Sequence, residues 1–94
     1  MRIKRIAWID EVIDKLQAKH GVEQDEVGEI LRRQPYFAFA EKGRRKGEDV
    51  YAAFGQTEAG RYLVVYFVYK QDQSALILSA RDMAPKDRKR YERR

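Results

Sequence analysis

The chain has 94 residues, of which 44% are hydrophobic and 12% aromatic, enough to close one modest core over a single sheet. Charged residues make up 37% of the chain, but both signs are mixed along most of its length, which favours a folded domain. The absence of cysteine excludes a disulfide framework and a cysteine zinc cluster, and the single histidine argues against a transition-metal site. We therefore predict one domain over residues 1–94 that needs no metal ion and no cofactor.

The N-terminal stretch MRIKRIAWIDEVIDK carries charge too early for a signal peptide. No apolar run approaches the ~20 residues that cross a bilayer. We expect a cytoplasmic protein without a membrane partner.

The positive charge is concentrated in two places. The net charge is +5, and residues 81–94 contain seven cationic and three anionic side chains, a net of +4. A second cluster occupies the glycine-flanked turn EKGRRKGED and consists of Lys42, Arg44, Arg45 and Lys46. Such patches attract a phosphate backbone, but a charge run is also a common solubilising surface, and charge alone does not separate the two interpretations.

Two helices are predicted in the first third of the chain. The opening RIKRI, residues 2–6, is a candidate for a short additional strand. In AWIDEVIDKLQAKHG the apolar residues recur at helical spacing, and Gly21 suits the left-handed conformation that ends a helix. VEQDEVGEILRRQP predicts a second helix that Pro35 terminates.

After Pro35 the pattern changes to that of four strands. YFAFA, DVYAAFGQ, RYLVVYFVYK and SALILSA are rich in aromatic and β-branched residues, separated by turn signals, and predict an antiparallel meander. The longest strand is apolar or aromatic on both faces, with Leu63, Val65 and Phe67 on one and Tyr62, Val64, Tyr66 and Val68 on the other. We expect helices on one face of this central strand and an aromatic surface on the opposite face or at a rim.

The last segment completes an α+β fold. Pro85 suits the first turn of a helix, and residues 86–93 are good helix formers. The predicted class is therefore α+β, with two N-terminal helices and a C-terminal helix packed on a four- to five-stranded, mainly antiparallel sheet.

The side chains available for chemistry are few. No glycine-rich phosphate loop, nucleophile triad or pair of metal ligands occurs in the sequence. Arginine, lysine, tyrosine and glutamate remain, and these suffice for cleavage of RNA by its own 2′-hydroxyl, since the polymer supplies the nucleophile. The protein then assists deprotonation, protonates the departing 5′-oxygen and stabilises the charge on the phosphorane.

The chain resembles the BrnT family of bacterial type II toxins, which are small ribonucleases with a RelE-like fold. The resemblance rests on an ordered set of motifs: WIDE, KHGV at 19–22, GED at 47–49 followed by FG, LVVY at 63–66, ILSARDM at 77–83 and DRKRY at 87–91. It implies a RelE-like fold, endoribonuclease activity on mRNA, and neutralisation by a cognate antitoxin from the adjacent gene. That antitoxin is usually a DNA-binding protein, with a ribbon-helix-helix protein as one option, and a homodimer of the chain is also open.

The resemblance implies site residues near the C-terminus. Arg81 matches the arginine that ends the last strand and would clamp the phosphate or the transition state, with a salt bridge to Asp82, Asp87 or the last helix as the alternative. Lys86 and Arg90 would add contacts to RNA.

Arg88 and Tyr91 match a C-terminal pair of the family. They lie at i and i+3, so Arg88 can face phosphate while Tyr91 stacks on a base or donates a proton. The alternative for Tyr91 is that it covers the sheet.

Further candidates lie earlier in the chain. Glu48 matches the acidic residue of a glycine-glutamate motif and would act as a base, unless it only pairs with the neighbouring basic turn. His20 matches a lysine-histidine-glycine motif and would take part in catalysis, although its position at the end of the first helix favours a helix cap over a catalytic role. The basic turn would bind RNA, and an aromatic row would stack bases or only pack; the row is Tyr62, Tyr66 and Tyr69.

The chain departs from the family pattern at two positions. Val50 and Leu76 stand where family members commonly carry arginines, so two cations that could contact phosphate are missing. Two main hypotheses result: a metal-independent endoribonuclease toxin, or a catalytically impaired relative that binds an antitoxin or nucleic acid. A structural domain with a solubilising tail is a third.

Overall fold

A computed structural model describes residues 1–94 as three helices and a five-stranded sheet. In chain order the elements are β1 Arg5–Ala7, α1 Asp10–Lys15, a π-helical turn Leu16–His20, α2 Gln24–Arg32, β2 Tyr36–Glu41, β3 Val50–Gln56, β4 Tyr62–Tyr69, β5 Ser74–Asp82 and α3 Pro85–Arg93. The strands lie side by side in the order β1-β5-β4-β3-β2. The predicted α+β class is confirmed.

The sheet is an antiparallel meander with one parallel strand added. β2 to β5 pair antiparallel in chain order, as predicted. β1 pairs parallel to β5, with Arg5 opposite Ser74, so the predicted fifth strand is present and the sheet is mixed. It occupies residues 5–7 rather than 2–6, and the Lys4 N–H adds one further hydrogen bond to the Gln73 carbonyl at 2.8 Å.

The first helix ends in a widened turn. α1 continues into the π-helical turn, after which Gly21 adopts φ +59°, the left-handed conformation predicted for it. This reversal buries Val22 completely. α2 then starts after Glu23, whose N–H donates to Glu26 Oε1 at 3.0 Å. None of the helices has the length and apolarity needed to cross a membrane.

The larger hydrophobic core lies between the first two helices and one face of the sheet. Leu63, Val65 and Phe67 of β4 are fully buried in it, on the face predicted to be covered. Gly55 lies beneath α2, where an added Cβ would meet Ile30 Cγ2 at 3.1 Å, so the small residue permits close approach of the helix. Each large apolar side chain buried here contributes about 1.5–3 kcal/mol.

The opposite face of the sheet is only partly covered. α3 lies across one end of it, and Tyr91 packs there with Phe54 and Val64. Tyr36 and Tyr66 border this smaller cluster and are partly exposed. The aromatic surface predicted opposite the helices is therefore present.

Arg61 joins three separate segments at the edge of the larger core. It donates through Nη2 to the His20 carbonyl and through Nη1 to the Gly21 carbonyl, both at 2.8 Å. It also forms ion pairs with Asp82 at 2.8 Å and Glu26 at 3.2 Å. The hydrogen bond from Arg61 is the main cause of the lowered pKa of Asp82. The network ties the end of the first helix to α2 and to the end of β5.

Candidate functional site

Arg81 is held on the partly covered face of the sheet. It pairs with Val64 across β4 and β5, on the face opposite the larger core. Its Nη2 donates to Tyr66 Oη at 3.0 Å, and its Nη1 donates to the Asp82 carbonyl at 3.2 Å. The side chain is still 38% exposed. The guanidinium is thus oriented by the protein and accessible to a ligand.

Asp87 links Arg81 to the start of α3. Its Oδ2 lies 3.6 Å from Arg81 Nη1 and also accepts the N–H of Ala84 at 3.2 Å. The carboxylate is only 18% exposed. The local salt bridge considered for Arg81 is present, and it coexists with an accessible guanidinium.

Arg88 and Tyr91 surround a different tyrosine. The Arg88 guanidinium carbon lies 3.9 Å from the centroid of the Tyr62 ring, and Arg88 Nε lies 3.7 Å from Glu92 Oε2. Tyr91 meets Tyr62 edge to face, with centroids 6.0 Å apart. Tyr91 therefore covers the sheet, as its alternative interpretation predicted.

The C-terminal candidates share one face but form two groups. Arg81 lies over Tyr66 and Arg88 over Tyr62. These tyrosines are four residues apart on β4, which corresponds to roughly 13 Å. The first group is Arg81, Tyr66 and Asp87, and the second is Arg88, Tyr62 and Tyr91.

Glu48 lies at the opposite end of the sheet. Glu48 belongs to the loop before β3, and its carboxylate is 3.7 Å from Lys70 Nζ. The pairing of Val50 with Val68 lies four residues along β4 from the pairing partner of Arg81, or roughly 13 Å. The basic turn is at the same remote end and is exposed, without salt bridges at Lys42, Arg44, Arg45 or Lys46.

His20 lies on the other side of the sheet from Arg81. Its carbonyl accepts a hydrogen bond from Arg61 Nη2 at 2.8 Å. Asp82 is paired with Leu63, which belongs to the larger core. The sheet thus separates His20 from the Arg81 group.

Lys86 and Arg90 lie along a groove between α3 and Tyr36. The groove has a volume of about 450 Å³. The Arg90 guanidinium carbon is 5.9 Å from the centroid of the Tyr36 ring. Tyr36 was not a candidate in the sequence.

One member of the predicted aromatic row was assigned wrongly. Tyr62 and Tyr66 contact α3 and Arg81 on the partly covered face. Tyr69 instead packs against the larger core, and its hydroxyl donates to the Arg2 carbonyl. Alternation along a strand places odd and even positions on opposite faces, so position 69 cannot join 62 and 66.

The two departures from the family pattern fall on one row. Val50 pairs with Val68, and Val68 pairs with Leu76, across three neighbouring strands. This apolar row lies on the same face as Arg81, beyond Tyr66. No three His, Asp or Glu side chains cluster closely enough to hold a metal ion.

A family model described as "Ribonuclease toxin, BrnT, of type II toxin-antitoxin system" matches residues 8–87. The chain belongs to the BrnT toxin family. The BrnT match runs from before α1 into α3, so it includes Arg81, Tyr66 and Asp87 but ends before Arg88 and Tyr91. The family membership predicted from the sequence motifs is confirmed, and the family consists of ribonuclease toxins.

The fold is shared with a solved BrnT structure. The crystal structure of the Brucella abortus ribonuclease toxin BrnT matches with a TM-score of 0.63, over 85% of this chain and 96% of that one, at 16% sequence identity. At this identity the likeness shows the fold. No curated protein sequence matches the chain.

Proposed function

We propose that this BrnT-family chain is a metal-independent endoribonuclease that cleaves mRNA in the cytoplasm. The observation that carries the proposal is the Arg81 guanidinium, oriented by Tyr66 and Asp87 and accessible on the partly covered face. In the proposed step the RNA 2′-oxygen bonds to phosphorus while the bond from phosphorus to the 5′-oxygen breaks. The 2′-hydroxyl proton leaves to water, and the products are a 2′,3′-cyclic phosphate and a 5′-hydroxyl.

Arg81 supplies the positive charge for this step. The phosphorane carries more negative charge on its oxygens than the phosphodiester, so an oriented cation stabilises the transition state more than the ground state. The bonds from Arg81 to Tyr66, Asp82 and Asp87 leave part of the guanidinium open. A planar guanidinium suits two phosphate oxygens at once.

Tyr66 supplies the proton for the departing 5′-oxygen. Arg81 Nη2 donates to Tyr66 Oη at 3.0 Å, so the phenol hydrogen is free to point away from Arg81. The adjacent guanidinium also stabilises the phenolate that remains after proton transfer. Asp87 is a positioning residue, because its largely buried carboxylate pairs with Arg81 and accepts the N–H of Ala84.

The remaining candidates do not act on the scissile phosphate in this proposal. Arg88, which lies over Tyr62, holds a neighbouring part of the RNA, and Tyr91, packed against the sheet, supports Tyr62. Glu48 and His20 take no part in the chemical step, because both are remote from Arg81. The base for the 2′-hydroxyl is then water.

The test is cleavage of labelled RNA by the purified protein in the presence of EDTA. We expect products with 2′,3′-cyclic phosphate ends, and a loss of at least about 100-fold in kcat for Arg81→Ala. Arg5→Ala is the matched control, since Arg5 is an exposed arginine that pairs only with Asp72. Equal cleavage by the Arg81→Ala protein, with an unchanged circular dichroism spectrum, would remove Arg81 from the mechanism.

We also propose that a cognate antitoxin from the adjacent gene neutralises the chain. Expression of the chain alone should stop growth, and the Arg81→Ala protein should not. Coexpression of the neighbouring reading frame should restore growth. Undiminished arrest in its presence would contradict this partner.

The apolar row favours a second candidate function. Val50 and Leu76 offer no charge where phosphate contacts were expected, and Val68, which lies between them, is apolar as well. A catalytically impaired BrnT relative would bind its antitoxin or RNA through this face without cutting. RNA that survives prolonged incubation with the pure protein, while still binding to it, would decide for this second function.

A further inference from the structure

The groove between α3 and β2 combines an aromatic floor with a cationic wall. Tyr36 is its only uncharged lining residue, and the others are Lys86, Lys89, Arg90, Arg93 and Arg94. No acidic side chain lines it, and none of these five cations forms a salt bridge. The groove therefore carries a strong and uncompensated positive charge.

This arrangement of charge is unfavourable for the isolated helix. Lys86, Arg90 and Arg93 follow one another at i+4 and i+3, so their like charges are neighbours on one side of α3. The same helix does carry an acidic partner elsewhere, where Arg88 pairs with Glu92. A row of unpaired cations beside an accessible ring favours a ligand that is both polyanionic and aromatic.

The groove lies on one line with Arg81 across the sheet. Tyr36 pairs with Phe54, Phe54 with Val64, and Val64 with Arg81, all on the partly covered face. Three inter-strand spacings separate the ends of this line, or roughly 14 Å. Asp87, which contacts Arg81, and Arg90, which lies over Tyr36, are three residues apart on the same helix. One extended polymeric ligand that lies along α3 can therefore reach both Arg81 and Tyr36.

We infer that the groove is a second RNA subsite, which rests on the proposed function because it takes the substrate to be RNA. Tyr36 stacks on the base of a nucleotide a few positions from the scissile phosphate, and the α3 cations hold the neighbouring phosphates. The RNA is single-stranded here, because only an unpaired base offers its face to a tyrosine. The subsite adds affinity for longer substrates and leaves the chemical step unchanged.

The decisive experiment separates binding from cleavage. Binding is measured by fluorescence polarisation with a 2′-O-methyl oligonucleotide of about 12 nucleotides, which lacks the nucleophile and cannot be cut. Cleavage is measured with a dinucleotide, which occupies the scission site alone. We expect Tyr36→Ala to weaken oligonucleotide binding about 10-fold and to leave dinucleotide cleavage unchanged, whereas Tyr36→Phe retains the affinity.

A second variant avoids any effect of Tyr36 on folding. Arg90→Ala/Arg93→Ala changes two exposed side chains and should make the slope of log K against log salt concentration shallower by about 1.4, roughly 0.7 for each lost phosphate contact on a single strand. Lys15→Ala/Lys19→Ala removes the same charge from the helical side of the protein and should leave binding nearly unchanged.

Two results distinguish failure of the subsite from failure of the proposed function. Wild-type affinity for the oligonucleotide in both Tyr36→Ala and Arg90→Ala/Arg93→Ala would overturn the subsite. The same result is expected if the groove instead holds an acidic segment of a protein partner. Arg81-dependent cleavage would then still support the nuclease. If the wild-type protein cuts neither substrate, the proposed function fails, and the binding comparison still decides whether the groove holds single-stranded nucleic acid.

Discussion

Arg61→Ala should destabilise the protein strongly, although Arg61 lies outside the hydrophobic core. The substitution removes two hydrogen bonds to neutral carbonyls, at His20 and Gly21, which contribute about 1 kcal/mol each. The ion pair with Glu26, whose side chain is 24% exposed, adds about 1 kcal/mol. Asp82 is 64% exposed, so its pair with Arg61 adds less. The free energy of unfolding should fall by about 3 kcal/mol, and Tm by roughly 12–24 °C.

Urea and thermal unfolding followed by circular dichroism measure this loss. Arg5→Ala is the control, because Arg5 is 63% exposed and makes one ion pair, so its free energy of unfolding should change by less than about 0.5 kcal/mol. The Arg61 effect should shrink in acid, because protonation of Asp82 below its lowered pKa removes one partner in the wild-type protein as well. If the two variants unfold within about 1 kcal/mol of each other at neutral pH, the Arg61 network does not stabilise the fold as argued.

Single contacts of Tyr66, Gly43 and Asp72 lead to three further predictions. Tyr66→Phe removes the proposed proton donor and keeps the ring, so kcat for RNA cleavage should fall about 100-fold; an unchanged kcat would exclude Tyr66 as the acid. Gly43→Ala presses a Cβ against the Glu48 carbonyl and should lower the free energy of unfolding in urea by about 2 kcal/mol, whereas wild-type stability would show that the turn adapts. Hydrogen bonds from the Ser74 hydroxyl and N–H are the main cause of the pKa of about 2 at Asp72, below its ordinary 3.8. This carboxylate stabilises the fold above pH 3.8 and ceases to do so as the pH falls toward 2. The Tm difference between wild type and Asp72→Asn should therefore narrow as the pH falls from 3.8 to about 2. A difference that stays constant over this pH range would contradict the lowered pKa of Asp72.

The elements of the fold could be predicted because each has a clear period and a clear end. Gly21 ends the first helix in the left-handed conformation, and Pro35 separates α2 from the first strand of the meander. The position of β1 was harder to predict. Its pairing with β5 joins Arg5 to Ser74, and no local pattern reports so distant a partner.

Strand register determines which candidate side chains lie together in the site, and the sequence does not reveal this register. Arg81 meets Tyr66 because Arg81 pairs with Val64, two residues away on the same face of β4. Asp87 was considered only as a local ion pair, and the groove at Tyr36 appears only once four strands are aligned. The error at Tyr69 was avoidable, because strand alternation alone separates it from the other two tyrosines.

The pairing of β1 with β5 also bears on how the protein is made. The first strand has no partner until residues 74–76 have been synthesised, and Arg81 and Asp87 follow later still. Translation proceeds from the N-terminus at about 5–20 residues per second, so these parts are made after the first two helices and β2 to β4. On the proposed function, a nascent chain that has not yet reached residue 81 lacks the guanidinium that would cut its own message.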